Sequence, residues 1–414
     1  MPRKNFAQQI QTHFDTNLPR YLALLKRMVA INSFTANAAG VNELGALTAE
    51  AFARLGFEAE FVQSAVSHYG KHLVLTRPGR SGRKIGLVSH LDTVFPPEEE
   101  ARNNFVWRED GDKIYGPGTV DIKGGTVMMV MVLEALQQHA PDAFEEVTWV
   151  LLIDAAEEAE AEDFGALCIE RLARPETLGC LIFEGGAYAD GDFKIVVTRK
   201  GMAVFQVTVE GRAAHAGTSH EQGANAIVQL AHTLTKIGAM TDYDRQLTYN
   251  IGTVSGGTVT NRVPHQAEAR LEMRTFDPEV YEAGVEQMLA LNGASDVASP
   301  ADGFPCTVTV EVLRKTQPWP RNEQTDHLYS LWSETAAELD YKTVPEFRGG
   351  LSDGNHFWHA IPTTDGLGPS GKNAHCSEQS DDGSKEQEYV LVSSFVPKAL
   401  LNTLAILKLI DQAR

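Results

Sequence analysis

The chain has 414 residues, of which 43% are hydrophobic, and its 36 basic and 55 acidic side chains give a formal net charge of −19. This length exceeds the roughly 250–300 residues at which one hydrophobic core stops growing, so we expect two domains. The negative charge disfavours binding to nucleic acid or to an anionic membrane surface, because both would repel it.

The first part of the chain alternates short apolar runs with helical patterns. Apolar spacing predicts helices over 18–29, 43–55, 125–138 and 164–172, and apolar runs predict buried strands at 85–89, 148–153 and 180–183. Such runs are typical of a parallel or mixed sheet that helices cover on both faces. The first part of the chain is therefore predicted to be α/β.

After residue 199 the pattern changes to strands with one buried face. Strands are predicted around 203–209, 247–254, 266–273 and 307–313, and helices over 227–237 and 278–291. The order β-α-β-β-α-β describes a compact ferredoxin-like domain. Helices over 326–339 and 389–410 follow. We expect one helix-covered mixed-sheet domain from residues 1–199 and 318–414, interrupted by an inserted α+β domain at 200–317.

The cysteines and the apolar runs also bear on location. No Cys-x-x-Cys spacing occurs, which argues against a thiolate metal site and favours a reducing compartment. No apolar core follows the charged N-terminal residues as in a signal peptide. The longest apolar stretch, 127–136, is too short to cross the roughly 30 Å of hydrocarbon in a membrane. The sequence predicts a cytoplasmic protein.

A histidine and an aspartate follow the first predicted strand two residues apart. Side chains at i and i+2 of a strand point the same way, so Asp92 could orient and polarise His90. Proteins prepare a histidine for metal binding in this manner.

Further acids and one histidine stand at other strand ends or in loops. They are Asp121, Glu157, Glu158, Glu184 and His375. Neighbouring carboxylates point in different directions, so one of Glu157 and Glu158 could bind a metal while the other moves a proton, as metal-assisted hydrolysis requires. Two structural alternatives stay open: Asp121 could cap the following helix, and the two glutamates could belong to a solvated acidic run. Together the set supplies the nitrogen and oxygen ligands that suit Zn²⁺, with Co²⁺ or Mn²⁺ possible.

Five ordered motifs resemble a known family. They are SHLDT, GPGTVDIKGG, the Glu157–Glu158 pair, FEGG and GKNAHCSE. This series is similar to the dinuclear zinc exopeptidases and amidohydrolases that include glutamate carboxypeptidase, acetylornithine deacetylase, succinyl-diaminopimelate desuccinylase and aminoacylase. In the insert, the segments RKGMAVFQVTVEGRAAHAG, EQGANAI and GGTVTNRVPHQAEARLEMR resemble that family's lid or dimerisation domain. The RKG stretch is particularly like the glutamate carboxypeptidase branch.

The resemblance implies a ligand set for two zinc ions. His90 and Glu184 would hold one ion and Glu158 and His375 the other, while Asp121 would bridge the two ions. One departure concerns the acidic segment: Ala155 and Ala156 stand where the family usually has an acidic residue before the glutamate pair. The register of 157–163 therefore stays open by a step or two, and Glu160 competes for a ligand role.

The same resemblance implies roles beyond the ligands. Asp92 would orient His90, and Glu157 would be the general base that activates water. In the insert, His215 would reach across a homodimer interface to stabilise the oxyanion, while Asn261 and Arg274 would bind a substrate carboxylate. A guanidinium fork suits that task because it grips a carboxylate at two points. An ion pair with an acid of the insert is the alternative for Arg274.

Two rival readings differ in class. Gly350–Gly354 fits the Gly-x-Ser-x-Gly nucleophile elbow of serine hydrolases, and Asp365 and His375 follow in the matching order. However, residues 344–348, with a proline and two charges, predict a poor strand before the serine. A non-catalytic binding protein on the same fold is the other rival.

The sequence favours zinc-dependent hydrolysis of an amide or peptide bond beside a free α-carboxylate. The bond would join a C-terminal residue to a peptide or an acyl group to an amino acid, so carboxypeptidase and N-acyl amino acid deacylase activities both stay open. The expected partner is a small molecule or peptide with a free carboxylate.

Overall fold

The computed structural model describes residues 3–159, 162–189 and 191–413. Within them the chain divides into two compact units. The first runs to Val197 and continues in Arg321–Phe347 and from Ser352 onward, and the second comprises Thr198–Pro320 and Arg348–Leu351. Residues 348–351, which the sequence analysis assigned to the first domain, thus belong to the second unit.

The strands in chain order are β1 (Glu58–Gln63), β2 (Lys71–Arg77), β3 (Lys84–His90), β4 (Arg108–Asp110), β5 (Lys113–Tyr115), β6 (Thr148–Asp154), β7 (Thr177–Ile182), β8 (Tyr188–Ala189), β9 (Asp192–Arg199), β10 (Gly201–Glu210), β11 (Thr248–Gly256), β12 (Gln266–Thr275), β13 (Thr307–Thr316), β14 (Lys342–Arg348), β15 (Thr363–Thr364), β16 (Gly371–Lys372) and β17 (Tyr389–Leu391). The helices are α1 (Arg3–Val29), α2 (Ala38–Ala53), α3 (Pro97–Arg102), α4 (Gly124–His139), α5 (Pro141–Phe144), α6 (Glu162–Leu172), α7 (Ala226–Gly238), α8 (Pro278–Leu289), α9 (Glu323–Glu338) and α10 (Phe395–Gln412).

The first unit is built on a mixed sheet with the strand order β1-β2-β6-β3-β7-β15. Strand β3 pairs in parallel with β6 and β7, and β2 pairs antiparallel with β6. Successive residues of β3 from Ile85 to His90 are all buried. Since neighbouring side chains point to opposite faces, both faces of the sheet are covered. The carboxyl ends of β3, β6 and β7 meet at one edge, where ligand sites of such sheets form.

Helix α10 belongs to the core of this unit. The segment Val392–Gln412 is long and apolar enough to cross a membrane by length and composition, but most of it is buried inside the protein. The helix packs against α1, α4 and α9. Its apolar surface is therefore used within the fold.

The second unit is an antiparallel sheet with two helices. The strand order is β11-β12-β10-β13, and β10 pairs antiparallel with both β12 and β13. Both helices begin at capping side chains: Asn225 accepts from the backbone N–H of Val228, and Asp277 from that of Val280. This arrangement is ferredoxin-like, so the predicted fold class, an α/β domain with an α+β insert, is confirmed.

Several predicted elements were wrong in extent or missed. The helix predicted over 389–410 starts only at Phe395, because Tyr389–Leu391 pair with β5 as a strand. Strands β1 and β2 were not predicted, and β1 is largely exposed, so its apolar pattern is weak. Residues 344–348 do form a strand, β14, at the edge of the sheet β14-β9-β8, where Pro345 is tolerated.

His72 on β2 connects Asp154, the last residue of β6, with Asp163 on α6. Its Nδ1 lies 2.9 Å from Asp154 Oδ1, and its Nε2 lies 3.0 Å from Asp163 Oδ2. Burial by itself would lower the pKa of His72, but the hydrogen bonds and charges of Asp154 and Asp163 raise that pKa to about 9. The imidazolium therefore stabilises the fold.

We expect His72→Gln to destabilise the protein more at pH 6 than at pH 9.5. The folded-state pKa is raised, so the stabilisation is complete below the unfolded pKa of about 6.5 and is lost as pH rises through about 9. The difference in free energy of unfolding between wild type and His72→Gln should be on the order of 3 kcal/mol smaller at pH 9.5 than at pH 6. Urea denaturation at both pH values measures it, with exposed His68→Gln as control. An equal loss at both pH values would contradict the prediction.

Candidate metal centre

The end of β3 places His90 at the sheet edge with its two nitrogens facing different partners. The Nε2 atom lies 3.1 Å from Asp121 Oδ1 and 3.7 Å from Glu184 Oε1. The Nδ1 atom lies 3.3 Å from Asp92 Oδ1 and 3.0 Å from the Asp92 backbone oxygen. The imidazole is buried, so these contacts fix its orientation, and Nε2 is the nitrogen that faces the acids.

The loop that carries Asp121 lies against the strand ends because two glycines allow it. Gly118 has φ +75°, and a Cβ there would come within 2.9 Å of the Thr93 side chain. At Gly125, the second residue of α4, a Cβ would lie 1.9 Å from the backbone oxygen of Phe183 at the end of β7. Larger residues would push this loop away from the strand ends.

Asp121 lies between two imidazoles. Its Oδ1 is 3.1 Å from His90 Nε2, and its Oδ2 is 3.3 Å from His375 Nε2. The same His375 nitrogen lies 3.1 Å from Glu158 Oε2. Helix α4 begins after Lys123, which occupies the N-cap position, so Asp121 is not the cap of this helix.

The predicted ligands converge into groups whose donor atoms lie within 4.8 Å of one another. The groups are His90 with Asp121 and Glu184, Asp121 with Glu158 and His375, and His90 with Glu157 and Glu158. The first two groups share Asp121. Imidazole nitrogens and carboxylate oxygens are the donors that Zn²⁺ accepts, so the residues present fit a pair of such ions. The glutamate pair therefore faces this cluster instead of standing in a solvated acidic run.

The pKa shifts indicate a site with excess negative charge. Burial, and after it the charge of Asp121, raises the pKa of Glu158, and burial raises that of Glu157 well above its usual range. Hydrogen bonds to Asp121 and Glu158 raise the pKa of His375 to about 11. Carboxylates thus outnumber the imidazoles that could neutralise them, and bound cations would compensate this buried charge.

Asp92 also holds the turn that presents the glutamate pair. Its Oδ1 accepts a hydrogen bond from the backbone N–H of Glu157 at 3.1 Å, and its Oδ2 accepts from that of Glu158 at 3.2 Å. The Thr35 hydroxyl donates to the same Oδ2 at 2.6 Å. Asp92 therefore contacts His90 and also fixes the backbone of both glutamates.

Sequence reasoning missed several buried residues around this centre. Thr35 carried no recognisable signal, since it lies 57 residues from its partner Asp92. Glu388, which immediately precedes the segment predicted as a helix, was assigned no role, but it accepts a hydrogen bond from the backbone N–H of Asp121. Asp353 is buried, and burial followed by the charge of Asp154 raises its pKa well above the usual range. Glu160, the competing ligand, lies outside the described residues.

Three predicted site residues lie in the second unit. The His215 Nδ1 accepts hydrogen bonds from the backbone N–H groups of Gly217 and Thr218 at 3.1 and 3.2 Å, so the neutral ring carries its proton on Nε2. Asn261 lies close to His215, because its backbone oxygen accepts from the N–H of Ala216.

The third residue of the second unit, Arg274, pairs with an acid of its own strand. Its Nε lies 3.0 Å from Glu272 Oε1, and its Nη2 lies 3.1 Å from Glu272 Oε2. Its Nη1 donates to the backbone oxygen of Gly349 at 3.1 Å. The guanidinium fork therefore makes the ion pair that the sequence left open as an alternative.

The nucleophile-elbow alternative is not assembled. Ser352 is buried, and its hydroxyl donates to Asp365 Oδ2 at 3.0 Å. The histidine that would complete this triad, His375, faces Asp121 and Glu158 instead. Strand β14 before the serine is half-exposed, whereas an elbow follows a buried strand.

Comparison with known proteins shows which family and which relatives this chain resembles. Residues 86–395 match the family described as Peptidase family M20/M25/M40. Carboxypeptidase G2 from Pseudomonas sp. (strain RS-16) is 28% identical over 271 residues, 65% of this chain and 63% of that enzyme, so the match spans less than two thirds of its length. A succinyl-diaminopimelate desuccinylase from Dechloromonas aromatica (strain RCB) is 28% identical over 279 residues, 65% of this chain and 71% of that enzyme. A solved tripeptidase from Staphylococcus aureus has a TM-score of 0.74 at 23% identity, covering 96% of this chain and 99% of that one, which shows the fold alone.

The shared position of Asp121 predicts how metal content responds to substitution. We expect Asp121→Ala to weaken both bound ions, whereas Glu184→Ala should weaken one, because Asp121 belongs to both ligand groups and Glu184 to one. Losing a ligand should cost more than the roughly 10–100-fold in affinity that losing a supporting residue costs. Elemental analysis after dialysis against Zn²⁺ buffers gives the stoichiometry, with circular dichroism as the check on folding. Two ions per chain in folded Asp121→Ala would refute the shared role.

Proposed function

Because the chain belongs to peptidase family M20/M25/M40, we propose that it hydrolyses an amide or peptide bond next to a free α-carboxylate, as a carboxypeptidase does. Family membership confirms the resemblance of the sequence motifs and, with the converging donor groups, supports a metal-dependent hydrolase. The observation that carries the proposal is the carboxylate of Asp121 between His90 and His375, with Glu157 and Glu158 beside it.

Two Zn²⁺ ions are the proposed cofactors. His90 and Glu184 would hold one, Glu158 and His375 the other, and Asp121, which belongs to both groups, would be shared. When bound, the ions supply Lewis-acid activation of water and of the scissile carbonyl. Co²⁺ or Mn²⁺ could replace Zn²⁺, because both accept the same nitrogen and oxygen donors.

Glu157 is the proposed general base. Glu158 is engaged with His375, whereas the Glu157 carboxylate lies within 4.8 Å of donor atoms of His90 and Glu158. Asp92 holds the Glu157 backbone, so the carboxylate is presented from a fixed turn. In this proposal Glu157 accepts a proton from the attacking water and then delivers it to the leaving nitrogen.

Residues of the second unit are proposed to bind the substrate. With its Nδ1 occupied by backbone N–H groups, His215 has an Nε2–H that can donate to the developing oxyanion. We propose further, from the resemblance alone, that this donor would act across a homodimer interface. Asn261 and Arg274 would bind the substrate carboxylate, and Arg274 would then exchange or share its contact with Glu272.

The proposal leaves open which group is joined by the scissile bond to the amino acid with the free carboxylate, a peptide or a simple acyl group. One relative is named a carboxypeptidase and another a desuccinylase, and both names describe hydrolysis of an amide. N-acyl amino acid deacylation is therefore the second candidate. A catalytically silent binding protein is disfavoured by the complete set of ligands and base.

A cytoplasmic location is proposed from the cysteines, because among the described residues Cys168, Cys180 and Cys306 are free and buried.

We expect Glu157→Ala to retain its metal ions and to lose hydrolysis. Removing a general base that does not bind metal should lower kcat by about 10²- to 10⁴-fold without changing metal stoichiometry. The substrates are N-acyl amino acids and C-terminal glutamyl, aspartyl and apolar dipeptides, assayed with added Zn²⁺, Co²⁺ and Mn²⁺. Glu162→Ala, an exposed acid of the same segment, is the matched control and should keep full activity. Full activity in Glu157→Ala would show that another residue is the base.

A carboxamide twin of the best substrate tests the carboxylate requirement. We expect kcat/KM to fall about 10- to 100-fold on amidation, because a neutral amide cannot form the charged hydrogen bonds that Arg274 would make with the substrate carboxylate. Arg274→Ala should abolish this difference between the twins, whereas Arg270→Ala on the same strand should preserve it. Equal rates on the twins with wild-type enzyme would argue against the carboxylate requirement, and a difference that Arg274→Ala preserves would argue against Arg274 alone.

A further inference from the structure

Glu388 holds the backbone of the loop that carries Asp121. This residue immediately precedes β17 and is completely buried. Its Oε1 accepts hydrogen bonds from two successive backbone N–H groups, that of Val120 at 2.9 Å and that of Asp121 at 3.2 Å. One oxygen atom therefore fixes both peptide groups that lead into the Asp121 side chain.

The neighbours of Glu388 hold the loop that carries His375. The backbone N–H of Glu388 donates to the backbone oxygen of Cys376 at 2.7 Å. The Gln387 side chain donates to the backbone oxygen of Ser377 at 3.0 Å, and Glu386 accepts from the Asn373 side chain at 3.3 Å. Residues 386–388, here called the clamp segment, thus contact both sides of His375 as well as the Asp121 loop.

The His375 loop needs such support because of its backbone conformation. Asn373 has φ +62° and His375 has φ +67°, both in the left-handed region that side chains with a Cβ seldom adopt. A non-glycine residue stays there when the surrounding structure holds it. The clamp segment supplies contacts on either side of His375 that do so.

We propose that Glu388 is a positioning residue for the metal centre. By accepting hydrogen bonds from the Val120 and Asp121 amides, Glu388 sets the Asp121 carboxylate between His90 and His375. This inference rests on the proposed role of Asp121 as the ligand shared by two ions. Without the Glu388 oxygen, the two amides would have to turn toward other acceptors, and the peptide planes that aim Asp121 would turn with them. Both ions should then be affected, since both depend on Asp121.

A purely structural role for a buried glutamate is the alternative to separate. Glu134 on α4 offers a matched control, because it is a largely buried carboxylate that binds Arg20 and accepts from the Tyr21 hydroxyl at 2.7 Å. It lies ten residues beyond the start of α4 at Gly124, roughly 15 Å along the helix at 1.5 Å per residue. Its loss should reduce stability without reaching the ligands.

The experiment compares full-length Glu388→Ala, Glu388→Gln and Glu134→Ala. Zn²⁺ affinity is measured by competition with a chromophoric chelator, Co²⁺ coordination by visible absorption, and apoprotein stability by thermal unfolding. We expect Glu388→Ala to bind Zn²⁺ about 10–100-fold more weakly, the cost typical of losing a group that orients a ligand, with an altered Co²⁺ spectrum. Glu388→Gln keeps an acceptor oxygen and should restore affinity to within about threefold of wild type. Glu134→Ala should lose stability yet keep wild-type Zn²⁺ affinity.

Three results would overturn the inference. They are wild-type Zn²⁺ affinity and Co²⁺ spectrum in Glu388→Ala, a loss in Glu388→Gln as large as in Glu388→Ala, and an equal loss of affinity in Glu134→Ala. Failure of the proposed function would look different, because wild-type protein itself would then bind no metal or would bind metal without hydrolysing any substrate of the screen.

Discussion

The arrangement of the metal centre depends on one partly buried carboxylate, that of Asp121, between two imidazoles. Asp121 directs one oxygen to His90 and the other to His375, although these histidines lie far apart in the sequence. Around this contact lie further acids, so the centre gathers more negative charge than its histidines can neutralise. A protein accepts this unfavourable burial where cations are to be bound. The protein chain by itself therefore does not neutralise the negative charge that it gathers at this site.

The acids around the centre are of two kinds, which differ in what they contact. Asp121, Glu158 and Glu184 direct side-chain oxygens toward the imidazoles. Asp92 and Glu388 accept hydrogen bonds from backbone amides and thereby hold the turns that carry the other acids. Precise placement of a ligand on a loop requires such support, because a loop alone does not fix its side chains to within the tolerance of a metal site.

The polar residues His215 and Arg274 of the second unit differ from the metal-site acids, because their partners are backbone N–H groups and another side chain of that unit. His215 accepts hydrogen bonds from two backbone N–H groups on its Nδ1 atom, and the proposed role of its Nε2–H as a donor to the oxyanion would need no metal. Arg274, in contrast, is paired with Glu272 within its own strand. Binding of a substrate carboxylate by Arg274 would have to compete with that ion pair, so the charge of Glu272 bears directly on how strongly a carboxylate is held.

The sequence by itself determined the α/β class, the position of the inserted domain's elements and the identity of the ligand candidates, because apolar periodicity and motif order are local properties of the chain. It could not recognise β17 or Glu388, since a short apolar strand next to a helix has no period of its own, nor Thr35, whose partner is remote in sequence. It also left open whether Asp121 was a cap, whether the glutamates were solvated and whether Ser352 was a nucleophile. Only the tertiary structure decided these points, because each depends on which side chains distant segments bring within hydrogen-bonding distance.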